Sequence, residues 1–397
     1  MKNKKSFLIF LICYFAYTSI YVARLNLSIA SPEFLAEGLL NEAQIGLLGA
    51  AFSVIYACGR LLNGIIGDKT APWIMISTGL VLTGISNLLF GLLPPFLGMF
   101  LLWGINAYAQ SMLWSSMLCI ISQTYGPEQA KQKTSFLVTS VATGNILGIL
   151  FNTVLVTNLG VQFAFVIPGG ITLIACVLVM LSTRHIRPLT DTAPKKSSFF
   201  SLLKQKEIIV LLFPAFFHGI VKENISLWMA VYFVDRFQID LAASALFVLF
   251  IPAIGFVGRM IYSFVFRLCR EKEHLVSIIS FLTCCVAVLP LCLDTVTPVI
   301  AAICLSLLYA AVSMINTSML SIYPIRYAAV GKVASVSGIM DFATYLGGGL
   351  GSLVYGAIIG SLGYGGMYYS WLVVSAVSAL IIFCLLKKKT ETVNESL

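Results

Sequence analysis

The feature that most constrains the fold of this chain is a series of about twelve apolar runs. Each run is near the ~20 residues that a helix needs to cross a bilayer, and none shows the alternation of an outer-membrane barrel strand. Only 10% of the residues are charged, so the chain has too little polar surface to cover a soluble globule. The sequence therefore predicts an all-α integral membrane protein with spans near 7–30, 43–67, 73–94, 97–122, 134–158, 161–182, 208–233, 242–266, 275–292, 297–322, 333–360 and 367–386.

Basic residues are distributed unevenly between the loops that join these spans. Of the 25 lysines and arginines, 20 lie at the termini or in even-numbered loops, four lie inside spans, and Arg236 lies in an odd-numbered loop. Cytoplasmic loops carry the excess of Lys and Arg. We therefore expect a multi-pass protein of the plasma membrane with both termini cytoplasmic, and we read the net charge of +9 as this bias and not as a nucleic-acid-binding surface.

The longest polar break, 183–207, is basic and contains proline, with about six spans on each side. It predicts a cytoplasmic linker between an N-terminal half, 1–182, and a C-terminal half, 208–397. The two halves also repeat each other in sequence. Three pairs of segments match at nearly constant offsets of 198, 199 and 201 residues: "ARLNLS" with "VKENIS", "ACGRLLNG" with "FVGRMIYS", and "AT" at 142–143 with "AT" at 343–344. Such duplication is typical of secondary transporters, whose substrate sites lie near the midplane between repeats.

Four cations lie inside the predicted spans: Arg24, Arg60, Lys222 and Arg259. On the lenient insertion scale a charge at the bilayer centre costs roughly 2.5–3.5 kcal/mol, so four that faced lipid would cost on the order of 10 kcal/mol. We therefore expect them to face a polar interior. Helical spacing places polar and aromatic residues on the same faces. The aligned sets are Tyr14, Tyr17, Tyr21, Arg24 and Ser28; Ser53, Tyr56, Arg60 and Asn63; His218, Lys222 and Ser226; and Gly255, Arg259 and Tyr262.

Two acids, Glu223 and Asp341, also lie inside spans. Consecutive residues on a helix diverge by about 100°, so we expect Glu223 to point away from Lys222 and to pair with another helix. Asp341 shares a face with Ser337 and Tyr345. Four cations and two acids leave an interior charge of +2, which favours an anion, and a dianion would neutralise it.

Each of these residues also has a purely structural interpretation. The cations could snorkel to the membrane interface or pair with neighbouring helices. The tyrosines could join helices, His218 could be a packed, hydrogen-bonded residue, and the glycines of "YLGGGLGS" could serve close helix packing or a hinge. The ten cysteines show no metal-site spacing, and no nucleophile–base pair indicates an enzyme. We expect no metal and no cofactor.

At these residues the chain resembles the major facilitator superfamily. Gly64, Asp68 and Lys69 match the first part of its loop motif after the second span, although "TAPW" lacks the closing glycine and basic residue. Within the superfamily, "YVARLNLSIASPEFL" and "GLLGAAFSVIYACGRLLNGIIGDK" are similar to the first two spans of the organophosphate:phosphate antiporter family. That family exchanges glycerol-phosphate and hexose-phosphates for inorganic phosphate. Lys222 falls where the family carries its second phosphate-binding arginine.

The resemblance implies an alternating-access exchanger of a small organic phosphate for inorganic phosphate. Arg24 and Lys222 would hold the anion and Arg60 would add a third positive contact. Further candidate contacts are Arg259, Tyr17, Tyr21, Tyr56 and Trp114, and the candidates for coupling or charge balance are Glu223, Asp341 and His218. "SMLWSSM" keeps only the tryptophan of the family's Gly-Trp-Pro-Pro, and Thr143 stands where the family often has histidine, so the substrate stays open.

Two other functions fit the same residues. A proton-coupled symporter of an organic carboxylate would use Glu223, Asp341 and His218 to carry protons. A transporter-like sensor would bind a sugar phosphate and signal to a partner. For each of the three we expect a lipid-embedded monomer with a small anionic ligand.

Overall fold

The computed structural model describes residues 2–67, 70–125, 127–184, 205–293, 295–324, 326 and 333–394. The described residues contain twelve helices that are long and apolar enough to cross a membrane, as the sequence predicted. Asp68, Lys69 and most of the predicted linker lie outside the described residues. The first eight helices are α1 (Lys2–Ala36), α2 (Glu42–Gly67), α3 (Pro72–Phe90), α4 (Phe96–Ser111 and Leu113–Thr124), α5 (Pro127–Leu159), α6 (Phe163–Thr183), α7 (Lys206–Phe237) and α8 (Leu241–Leu268).

The last four helices each contain or adjoin an irregular segment. Helix α9 (Glu273–Val288) ends in a 3₁₀ turn, and α10 (Pro298–Asn316) continues into a π-helical segment, Thr317–Ile322. Helices α11 and α12 form one run, Val333–Asn394, that is broken at Gly363, where φ is 68°. Glycine tolerates this positive φ because it has no Cβ. The apolar parts of α11 and α12 are Val336–Ser361 and Gly363–Lys387.

Helix α1 is longer than the sequence predicted. The predicted span ended near residue 30, but the helix continues through Pro32 to Ala36. The chain leaves the helix only at Gly38, which has φ 65°. The Leu39 amide donates to the Phe34 carbonyl and the Gly38 amide donates to the Leu35 carbonyl, which is the Schellman arrangement. Glycine therefore sets this helix end.

The chain divides into two compact units. Unit 1 contains Met1–Ala193 and Val234–Leu249, and unit 2 contains Pro194–Phe233 and Phe250–Leu397. Within unit 1, α1 packs on α5 and α6, α2 packs on α4, and α3 packs on α4 and α6. Within unit 2, α9 packs on α10 and on the long run Val333–Asn394. Each unit therefore has its own set of packed helices.

The sequence repeat recurs in the internal contacts of each unit. In unit 1 the Cα of Gly59 faces α4 so closely that an added Cβ would lie 3.0 Å from the Ser111 Cβ. In unit 2 a Cβ added at Gly258 would lie 2.8 Å from the Ala310 carbonyl oxygen on α10. Gly59 and Gly258 were aligned by sequence at an offset of 199, and Ser111 and Ala310 have the same offset. The duplicated glycines therefore make equivalent helix–helix contacts.

Candidate functional site

Arg24 lies half-buried on α1 beside three aromatic rings of unit 1. Its guanidinium carbon is 4.6 Å from the ring centroid of Phe52, 5.0 Å from that of Tyr56 and 5.9 Å from that of Tyr21. Phe52 and Tyr56 are one turn apart on α2 and their rings are nearly parallel. A cation over an aromatic face is attracted by the ring quadrupole. The rings therefore hold the guanidinium without adding a negative charge.

Phe52 is itself fixed by a buried aromatic cluster in unit 1. Its ring lies 5.5 Å from that of Trp103 on α4, and Trp103 lies 5.5 Å from Phe90 on α3. Phe90 stacks on Phe165 of α6 at 4.3 Å and contacts Phe34 of α1. All five side chains are buried. The position of the rings around Arg24 thus depends on packing that extends through most of the unit.

The aromatic stripe predicted on α1 continues from Arg24 along the helix. Tyr21 meets Tyr17 edge to face at 5.5 Å, and Tyr17 lies 5.0 Å from Trp114 of α4. One turn further, the Tyr14 hydroxyl shares a 2.7 Å hydrogen bond with the Thr143 hydroxyl of α5. The stripe therefore joins α1 to α4 and α5, and it includes Thr143.

Arg60 is half-buried on α2, and its guanidinium carbon lies 5.9 Å from the Tyr56 ring centroid. Tyr56 thus lies beside both Arg24 and Arg60, and unit 1 brings two of the predicted cations to one ring. Asn63, one turn after Arg60 on α2, donates a 2.7 Å hydrogen bond to the Ser111 hydroxyl of α4. The polar face predicted on α2 therefore contacts the two cations through Tyr56 and packs against α4 through Asn63.

The prediction that the side chains of Lys222 and Glu223 diverge is wrong. The Lys222 ammonium lies 3.0 Å from a carboxylate oxygen of Glu223, and the side chains are 24% and 13% exposed. The long lysine stem bends back far enough to meet its sequence neighbour. The ammonium also lies 4.9 Å from the ring centroid of Tyr345 on α11. Unit 2 thus holds its cation with a carboxylate and a ring.

The other predicted residues of unit 2 occupy different surroundings. His218 is fully buried one turn before Lys222, with the Asn316 side chain of α10 beside its ring. Asp341 is half-buried one turn before Tyr345 on α11. Arg259 is half-buried on α8, next to Gly258, which packs on α10. His218 is therefore packed, as one interpretation predicted, but neither of its ring nitrogens makes a hydrogen bond to the described residues.

Close packing of α7 on α11 positions Lys222 and Glu223. A Cβ at Gly219 would collide with the Thr344 carbonyl group, and a Cβ at Gly347 would collide with the Phe216 backbone. Gly348 leaves room for the Glu223 side chain, since an added Cβ would lie 2.8 Å from the Glu223 Cβ. The run of glycines on α11 therefore brings the two helices together, as the packing interpretation predicted.

Sequence reasoning missed two residues that contact the candidate cations. Phe52 precedes Tyr56 and Arg60 by one and two helical turns, so the spacing that selected Tyr56 also contained it. Its side chain is apolar, so the pattern of polar residues on α2 did not distinguish it from the lipid-facing residues. Tyr345 was grouped with Asp341, but its contact with Lys222 needs the packing of α11 on α7, which no local pattern on either helix indicates.

Comparisons with known proteins agree with the fold and with the resemblance found in the sequence. A probable hexose phosphate transport protein of Chlamydia muridarum is 24% identical over 258 residues, which is 57% of each chain. The membrane sensor protein UhpC of Escherichia coli is 34% identical over 111 residues, 28% of this chain and 25% of UhpC. The chain thus aligns with little more than half the length of the first of these relatives.

A solved structure supports the fold at the level of the whole chain. The crystal structure of the nucleoside transporter NupG superposes with a TM-score of 0.77, covering 96% of this chain and 98% of that chain at 15% identity. Residues 10–352 match the Major Facilitator Superfamily. This match covers most of the twelve helices, and with the repeat of Gly59 and Gly258 it establishes that the chain belongs to the major facilitator superfamily, a family of membrane transporters.

Proposed function

We propose that the protein exchanges a small organic phosphate for inorganic phosphate by alternating access. The observation that carries this proposal is the pair Arg24 and Lys222. The two cations occupy equivalent positions of the sequence repeat, each is half-buried, and each lies beside a tyrosine ring. Charged groups in membrane spans line substrate pathways. A dianionic phosphate is the ligand that two such cations suit best.

In this mechanism Arg24 and Lys222 are the cations that bind the anion. Arg24 supplies a planar fork of donors and Lys222 supplies a point charge. Arg60, beside Tyr56, adds positive charge, and Tyr17, Tyr21, Trp114 and Arg259 are further candidate contacts. Bound substrate permits the change of access only if the occluded state binds it better than the open states do. The relative named as a hexose phosphate transport protein supports a phosphorylated substrate.

The proposal also includes a location and a topology. We place the protein in the plasma membrane, as a monomer, with both termini cytoplasmic. The uneven distribution of basic residues between loops supports this orientation. A cysteine introduced at Ser197, in the central linker, is expected to react with a membrane-impermeant thiol reagent only from the cytoplasmic side.

A second candidate is a sensor that binds a sugar phosphate without transporting it. The similarity to UhpC, named a membrane sensor protein, favours it. One experiment separates the candidates. Purified protein is placed in liposomes loaded with inorganic phosphate, and uptake of radiolabelled phosphate is compared with uptake into empty liposomes. The exchanger requires internal phosphate for rapid uptake, whereas a sensor binds phosphate esters and shows no uptake in either case.

A further inference from the structure

We propose that Lys133 and the aromatic rings around it bind the head group of a phospholipid with a net negative charge. The surface consists of Lys133, Phe7, Phe10 and Tyr125, and we call it the Lys133 cage. It lies at the end of unit 1 where α1 and α5 begin and α4 ends. Lipid binding here does not depend on what the protein transports, so it can be absent while the proposed function holds.

The cage holds one cation between three rings. The Lys133 ammonium lies 5.1 Å from the ring centroid of Phe10, 5.7 Å from that of Tyr125 and 5.8 Å from that of Phe7. The Tyr125 hydroxyl also donates a 2.7 Å hydrogen bond to the Ser6 carbonyl, which ties the end of α4 to the start of α1. An ammonium within about 6 Å of a ring centroid is attracted by the ring quadrupole. The rings therefore hold the ammonium in a defined place.

The rings leave the positive charge of Lys133 uncompensated. Within the part of the chain that the structure describes, Lys133 contacts the three rings and forms no ion pair or hydrogen bond. A lysine ammonium carries three hydrogen-bond donors, and rings use none of them in the way that an oxygen acceptor does. Lys133 is only half-buried, so an anion can approach it. An anion that binds there gains both charge attraction and hydrogen bonds.

The cage lies at the border between the polar and the apolar parts of its helices. The apolar span of α1 begins at Lys5, two residues before Phe7, and that of α5 begins at Thr139. Thr139 follows Lys133 by six residues, which corresponds to about 9 Å of helix. The head groups of a bilayer lie just outside its hydrocarbon core. The Lys133 ammonium is therefore placed at the depth of the lipid phosphates.

An exposed apolar surface continues from the cage along α1. Phe7, Leu11 and Phe15 are spaced four residues apart and are 52%, 45% and 39% exposed. Residues at this spacing lie on one side of a helix, so the surface extends about 12 Å from the cage into the span. On α5, Phe136 is 55% exposed and follows Lys133 by three residues. A cation next to an apolar surface suits an anionic head with acyl chains better than it suits free phosphate.

The cage favours a head group with a net negative charge over a zwitterionic one. Aromatic cages bind quaternary ammonium groups such as choline, but Lys133 already occupies these rings and repels a second cation. A phosphatidylglycerol head group carries the phosphate without a cation, so it meets only attraction. One basic residue at an anionic membrane surface contributes an attraction that corresponds to about fivefold in affinity. We therefore expect a preference for phosphatidylglycerol of about this size.

The test measures lipid binding beside the cage itself. Phe136→Trp places an indole on the exposed side of α5, about one turn from Lys133. The full chain is reconstituted in vesicles of phosphatidylcholine and phosphatidylglycerol, with bromine on the acyl chains of one lipid, because bromine quenches a tryptophan that it contacts. Subtracting the fluorescence of the chain without Phe136→Trp removes the signal of the five native tryptophans. Phosphatidylglycerol is expected to quench the added indole with about fivefold higher apparent affinity than phosphatidylcholine.

Three further substitutions in the Phe136→Trp chain identify the residue responsible. Lys133→Gln is expected to abolish the preference, and Lys133→Arg, which keeps the charge, is expected to retain it. Lys272→Gln removes an exposed lysine directly before α9, outside the cage, and is expected to leave the preference unchanged. Lys133→Met replaces Lys133→Gln if that variant does not fold.

Four outcomes would overturn the proposal. Equal affinity of the two lipids before any change at Lys133 would show that the cage does not select a head group. A preference that survives Lys133→Gln would place the selection elsewhere, and an equal loss in Lys272→Gln would show a general effect of surface charge. A preference that inorganic phosphate removes, compared with sodium chloride at the same ionic strength, would show that the cage binds free phosphate instead of a lipid.

Discussion

The Lys222 ammonium contacts the carboxylate of Glu223, the next residue of the same helix, at 3.0 Å. In unit 1 the equivalent cation, Arg24, lies against the rings of Phe52 and Tyr56. Lys222 also lies beside a ring, with its ammonium 4.9 Å from the Tyr345 ring centroid. A contact between a cation and an aromatic ring is therefore common to both copies of the repeat.

Arg24→Lys should weaken phosphate binding by at least about tenfold, because the lysine ammonium cannot replace the planar fork of the guanidinium. The measurement is the apparent affinity for phosphate in the liposome exchange assay. Arg60→Lys is the matched control. It makes the same exchange on α2 and should have a smaller effect, since we assign Arg60 only an additional contact. Near-normal exchange by Arg24→Lys would return Arg24 to the snorkelling interpretation.

Phe52→Leu should weaken phosphate binding by roughly 2- to 30-fold, the range that corresponds to a cation–π contact of ~0.5–2 kcal/mol. Leucine fills much of the space but offers no ring face to the Arg24 guanidinium. Phe52→Tyr keeps the ring and should restore most of the affinity. Equal losses in both variants would show that Phe52 supports only the packing of Trp103.

The sequence was sufficient to predict the membrane spans, the internal repeat and the placement of four cations inside spans. Each of these features depends on local composition or on helical spacing. The contact between Glu223 and Lys222 was not predicted, since the rule that neighbours diverge describes the Cβ directions and ignores the reach of the lysine stem. Phe52 shares the helical spacing of Tyr56 and Arg60, but its side chain is apolar, and the predicted face was defined by polar residues and tyrosines. Tyr345 needs the packing of α11 on α7, which depends on several glycines acting together.

Gly219→Ala should destabilise the protein by about 1–3 kcal/mol or more, because the new methyl group would collide with the α11 backbone at Thr344. Thermal unfolding in one detergent measures the effect. Gly170→Ala, in α6, is the control, since an added Cβ there meets no atom within 4 Å. Alanine in a helix interior is favourable by roughly 0.5–1 kcal/mol, so the control should be neutral or slightly stabilised. Equal unfolding temperatures for the two variants would contradict the close packing of α7 on α11.

A buried amide pair in unit 1 gives a double-mutant test of packing. Asn26 on α1 donates a 2.7 Å hydrogen bond to the side-chain oxygen of Asn87 on α3. Asn26→Leu alone leaves the Asn87 oxygen without this donor and should cost roughly 1–3 kcal/mol of unfolding free energy. Asn26→Leu with Asn87→Leu removes both polar groups and should recover part of that loss. Additive losses in the double variant would mean that the pair is not coupled.

The last prediction separates exchange from proton coupling. The ion pair of Glu223 with Lys222 exists only while the carboxylate is charged, so a proton cycle on Glu223 would have to break it. His218 is fully buried beside Asn316, which suits a packed residue. We therefore expect phosphate exchange to be independent of a pH gradient in wild type, and still independent of it in Glu223→Gln and Asp341→Asn. The measurement is uptake into liposomes without internal phosphate, with and without an inward proton gradient. Concentrative uptake that requires the gradient, and that is lost in either variant, would show that the protein is a proton-coupled symporter, because an exchanger cannot accumulate substrate without an internal counter-substrate.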